Sequence, residues 1–109
     1  MKSAKQVAVE YTEESAFHAL GLPDADELKL KADLMRCIAD IVAAQGLTQA
    51  AAGTVVGMDQ PRMSALLGGK ITKFSVERLV RALNALGQDV EVRIKPARKA
   101  RGVTLVKAA

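Results

Sequence analysis

Between residues 47 and 70 the chain carries two helix-start residues, one very small residue and two glycine stops, spaced for a pair of short helices that meet across a tight turn. Thr48 offers a side-chain oxygen to the first N–H groups of a helix over Gln49–Val56, and Gly57 breaks that helix. Asp59 offers a second cap, to a helix that stops at Gly68 and Gly69. Two helices that cross steeply need a very small residue at closest approach, here Gly53, and a turn residue free to take positive φ, here Gly57. Ala52, Val56, Met58, Met63 and Leu66 then supply the apolar contacts of the junction. Pro61 falls in the first turn of the second helix, where its missing N–H costs nothing. This spacing fits a helix-turn-helix, and it also fits a generic helical hairpin.

The remainder reads as the scaffold for that pair. A length of 109 residues suits one domain with short extensions. Half the residues are apolar but only 3% are aromatic, so the core must come from Leu, Ile, Val, Ala and Met, a composition that leans towards helix. Residues 14–20 can form a short helix closed by Gly21 and broken by Pro23. Asp24 and Asp26 then start a longer one, with Leu28, Leu34, Ile38, Ile41 and Val42 at helical spacing, which runs to about Gln45 and ends at Gly46 with Leu47 packing back. Ser75 caps a further helix built on Val76, Leu79, Val80, Leu83 and Leu86, closed by Gly87. From residue 89 to 95 the period changes to strict alternation, which predicts one β-strand. A lone strand leaves its backbone groups unpaired, so either residues 103–106 fold back beside it or a second chain pairs with it, and pairing across a dimer is the preferred expectation. The fold class expected is therefore mainly α: a bundle of four to five helices with a C-terminal strand. Its divisions are an N-terminal extension (residues 1–23), a helical domain (24–88), and a strand with a basic tail (89–109).

Charge is unevenly placed. Residues 1–33 carry four lysines against seven acids, residues 34–88 six basic groups against three acids, and residues 89–109 six against two, so an acidic start precedes a basic remainder. A basic surface serves nucleic-acid binding, and it also serves solubility alone. Little supports an enzyme: His18 is the only histidine and has no cysteine near it, and no glycine-rich phosphate loop follows a strand. No cofactor or metal is expected. The single cysteine, Cys37, sits in an apolar-periodic run and reads as a core residue. No stretch is apolar for long enough to span a membrane and no signal-type block follows the first residues, so a cytoplasmic protein is expected.

The stretch from Leu47-Thr48-Gln49 through Gly53, Gly57-Met58-Asp59-Gln60-Pro61-Arg62 to Gly69-Lys70 resembles the Xre/Cro family of helix-turn-helix regulators. At Gly53 most members of that family are expected to carry Ala, a departure that lowers helix propensity by about 1 kcal/mol without altering the packing logic. The resemblance implies a λ-repressor-like fold in which the second helix of the pair enters the major groove and the first lies across the phosphate backbone. Gln60 then becomes the best candidate for a base edge, because its amide can donate and accept at once, as adenine N6 and N7 require. Arg62 follows, bidentate to guanine or bound to phosphate. Ser64 and Ala65 come next on the same face, while Gln49, Lys70, Thr72 and Lys73 would hold phosphates. Asp59 is read only as a cap.

Flanking segments around Gly21-Leu22-Pro23-Asp24, Phe74-Ser75-Val76-Glu77 and Leu86-Gly87-Gln88-Asp89 look like a narrower branch, the HigA-type antitoxins, so that the resemblance spans about residues 17–95. The first expectation is a homodimeric autorepressor on double-stranded operator DNA, the dimer resting on the unpaired strand over residues 89–95 and on the geometry of a near-palindromic site. The alternative is an antitoxin that neutralises a RelE/HigB-like toxin by direct contact, and a third reading is a phage-type regulator without a toxin.

Overall fold

The structure is a computed structural model that describes residues 7–8, 25–100 and 102–108. Four α-helices form its body: α1 (Ala25–Ala44), α2 (Gln49–Val56), α3 (Gln60–Leu67) and α4 (Val76–Ala85), with a 3₁₀ turn at Ile71–Lys73 between the last two. Two short strands, β1 (Val7–Ala8) and β2 (Lys107–Ala108), pair antiparallel with Val7 opposite Ala108 and Ala8 opposite Lys107.

α1 is the longest element because nothing in its 20 residues interrupts it. Acidic Asp26 and Glu27 sit in its first turn, where the helix dipole favours negative charge, and ion pairs Lys29–Asp33 (2.6 Å) and Lys31–Glu27 (3.3 Å) staple successive turns. Ala25, Leu34, Met35, Ile38 and Val42 face inward. The helix closes where expected: Gly46 N–H donates to the Ala43 carbonyl and Leu47 N–H to that of Val42, which turns Leu47 back against the core.

α4 packs chiefly on α1 and also reaches α2, while α1 reaches α3, so the long first helix and the last one together back the short pair. Leu34 and Ile38 of α1, Met63 and Leu66 of α3, and Leu79 and Leu83 of α4 are fully buried and form the centre of one core. Burying a side chain of that size stabilises by about 1.5–3 kcal/mol. The lower ends of α1 and α4 are tied by polar bonds, Gln45 Nε2 and the buried Gln88 Nε2 both donating to the Leu86 carbonyl and Asn84 Nδ2 donating to that of Gln88.

Beyond α4 the outcome departs from expectation. C-terminal β structure exists, but at Lys107–Ala108 rather than residues 89–95, which carry no regular secondary structure. An alternating pattern marks a strand only when another strand supplies its ladder, and within the single chain residues 103–106 do not fold back to do so. The expected helix over residues 14–20, its stops Gly21 and Pro23, the Asp24 cap and His18 lie outside the described residues.

Candidate nucleic-acid interface

α2 and α3 owe their mutual geometry to three local devices. Thr48 Oγ1 accepts from Ala51 N–H (3.1 Å) and Asp59 Oδ1 from Arg62 N–H (3.0 Å), so each helix begins on a capped, extended residue. Gly57, at φ +75°, ends α2 in a left-handed conformation that a side chain would strain, and its N–H and that of Met58 (2.8 Å) both donate to the Gly53 carbonyl. The chain then doubles back so tightly that a Cβ added at Gly53 would lie 2.9 Å from the Met58 carbonyl oxygen and 3.6 Å from Met63 Cβ. That corrects the expectation that Gly53 leaves the packing unaltered: here an alanine would press on backbone, so glycine sets how closely the turn can approach α2.

This frame fixes what α3 presents. Met63 and Leu66 point into the core, and Gln60, Pro61, Arg62 and Ser64 stand exposed on the other side. Pro61 occupies the first turn as expected. Ala65 is half-buried and packs against the core, so only an edge of its methyl is available to a ligand. Gln49, at the start of α2, is half-buried, whereas Lys70, Thr72 and Lys73 are exposed on the turn after α3. That turn is held by its backbone: Lys70 N–H donates to the Ala65 carbonyl and Lys73 N–H to that of Lys70, with Ile71 packed inward. Thr54 and Val55 are also exposed, on α2, and the spacing argument had not singled them out. Their exposure is decided by the rotation of α2 in its packed position.

Charge on this unit is one-sided. From residue 45 to 75 the charged residues are Asp59, Arg62, Lys70 and Lys73, and the single carboxylate is engaged as a cap. Among the described residues no group of acids, histidines or cysteines is arranged to hold a metal ion, and no helix is long and apolar enough to cross a membrane. Cys37 is half-buried on α1, where burial first and the neighbouring Asp40 and Asp33 second push its thiol pKa up, opposite to what a reactive cysteine requires. An open groove of about 200 Å³ lies between α1 and the C-terminal half of α3, lined by Ala32, Met35, Ala39, Leu66 and Leu67 with Arg36 as its sole charge. It lacks the convergent polar groups of an active site.

A protein-family model described as a helix-turn-helix domain matches residues 16–95 of this chain. A solved structure assigned by name to the XRE family of transcriptional regulators is similar to it, with 40% sequence identity, a TM-score of 0.70, and 78% of this chain and 96% of that chain covered. No curated protein matches the chain.

Proposed function

Because this chain belongs to the XRE-type helix-turn-helix family, we propose that it is a sequence-specific DNA-binding regulator that represses its own gene as a symmetric dimer. In this reading the N-terminal end of α3 enters the major groove and α2 lies across the backbone. Gln60 reads adenine through its amide, Arg62 reads guanine or grips phosphate, and Ser64 and the edge of Ala65 make lesser contacts. Pro61 shapes the first turn that carries them. Gln49 meets phosphate on α2, while Lys70, Thr72 and Lys73 meet it beyond α3, which at about 1.5 Å per residue is roughly 12 Å long, close to the width of the groove. The carrying observation is that Gln60 and Arg62 stand exposed on a capped helix start whose surroundings bear lysines and one carboxylate engaged as the cap. Two such helices in a dimer would address half-sites about 34 Å apart.

Fluorescence anisotropy on duplex DNA from upstream of the gene, beside a scrambled duplex at two salt concentrations, tests this. Gln60→Ala and Arg62→Ala are each expected to lose about 1–3 kcal/mol on the specific duplex only, whereas Lys73→Ala weakens both duplexes alike and lowers the salt slope by about 1. Equal binding to both duplexes by the unaltered protein would sink the reading.

A second reading, compatible with the first, is an antitoxin that covers the basic surface of a RelE/HigB-like toxin. The observation that favours it is the acidic balance of residues 1–33 ahead of a basic remainder. Failure to co-purify with the product of the neighbouring gene would count against it.

A further inference from the structure

After Gln88, whose N–H still donates to the Leu83 carbonyl, the chain leaves the core. Val90 stays half-buried against the core, but Val92 is 84% and Ile94 91% exposed, although large aliphatic side chains are stabilised by burial. Among the described residues nothing hydrogen-bonds to the backbone of residues 89–95. Residues 103–106 do not pair with this segment, and the chain just beyond them, Lys107–Ala108, pairs with Val7–Ala8. An exposed aliphatic row beside unpaired N–H and C=O groups is a template for another strand.

We propose that the occupant is the same segment of a second copy, paired antiparallel in the register centred on Val92; this rests on the dimer reading above and specifies its interface. The segment is complementary to itself. In an antiparallel pair, facing residues lie on the same side of the ribbon. Centred on Val92, the pairing sets Asp89 opposite the partner's Lys95, Glu91 opposite the partner's Arg93, and Val90 opposite the partner's Ile94, while the two Val92 residues face each other. One side is then entirely aliphatic, and on the other all four cross-strand pairs are of opposite charge.

Neighbouring registers lack this match. A centre on Glu91 or Arg93 sets that charge against its own copy, and a centre between two residues sets charged side chains against aliphatic ones. Parallel pairing in register opposes Asp89 to Asp89 and Lys95 to Lys95. Pro96, with no N–H, ends the ladder on one side and the core-anchored Gln88 ends it on the other. An isolated two-stranded ribbon is only marginally stable, but this aliphatic row runs through Val90 into the core of each copy.

Charge reversal across the proposed pair supplies the test, because it separates register from mere association. Sedimentation equilibrium of the full chain at low salt compares the unaltered protein with Glu91→Arg, Arg93→Glu and the double variant. Each single change turns two attractive pairs into like-charge ones and is expected to weaken the dimer about tenfold or more, while the double change restores it to within about threefold. Helix content by circular dichroism should be the same in all four, since both residues are exposed. Singles that weaken the dimer without rescue by the double overturn the register. Equal dimer constants in all four place the dimer contact on another surface and leave the dimer reading standing. A chain that is monomeric throughout, on its operator duplex as well, overturns both, and DNA reading by α3 is then judged separately by the anisotropy experiment.

Discussion

Gly53 is the residue on which the helix pair turns, and it sets two effects against each other. Alanine is favoured over glycine in a helix interior by about 1 kcal/mol, which argues for Gly53→Ala as a stabilising change. Against that stands a contact of 2.9 Å between the added Cβ and the Met58 carbonyl oxygen. The oxygen belongs to backbone held by the bond from Met58 N–H back to Gly53, so it cannot swing aside as a side chain would. Overpacking of this kind costs about 1–3 kcal/mol, and the balance falls on the side of strain. Gly53→Ala is therefore expected to lower unfolding stability by about 1 kcal/mol in a urea titration, with a rise in stability indicating that the turn yields more readily than its hydrogen bonds imply.

At the scale of elements, α3 shows how one carboxylate serves structure at some cost to binding. Asp59 caps the helix by accepting Arg62 N–H, yet on the proposed DNA-facing end it brings negative charge near phosphate. Alanine and asparagine separate these roles. Asp59→Ala removes the cap and should destabilise the chain by about 1 kcal/mol, whereas Asp59→Asn keeps an acceptor of similar quality and should stay within a few tenths of that reference stability. Asparagine also removes the repulsion, so duplex binding at low salt is expected to tighten for Asp59→Asn. Binding that weakens instead would mean the carboxylate itself meets DNA, as an acceptor from cytosine N4. Paired thermal melts and anisotropy titrations read both quantities.

Taken as a whole molecule, the helix-turn-helix has no core of its own. α2 and α3 are eight residues each, and isolated helices of that length are marginal in water. They persist because Met63 and Leu66 are buried in the one core that Leu34 and Ile38 of α1 and Leu79 and Leu83 of α4 also build. Damage to α4 should therefore unfold α3 along with everything else. Leu83→Ala, far along the chain from Gln60, is expected to cost about 2–5 kcal/mol and to do so in a single transition, with far-ultraviolet circular dichroism and duplex binding lost together. Loss of binding well before loss of helicity would point to a pair that can detach from α1 and α4.

Much of this was legible along the chain. Thr48, Asp59 and Ser75 announce their helices because a cap acts on N–H groups two or three residues away, and Gly46, Gly57 and Gly87 announce the ends for the same local reason. Exposure of Gln60 and Arg62 followed from their place between apolar neighbours at helical spacing, and Lys70 and Lys73 lie beyond the Gly68-Gly69 stop. Ala65 is half-buried rather than fully on the exposed face, and Thr54 and Val55 stand exposed on α2, because only the packed rotation of α2 and α3 decides which way these residues face. The approach of the Met58 carbonyl to Gly53 is likewise a distance across the turn, set by the crossing of two helices and invisible to composition. Residues 89–95 mark the clearest division: their alternation is written in the sequence, but a strand exists only when something donates and accepts along its edge, and that is decided by where the rest of the chain, or a second copy of it, comes to lie.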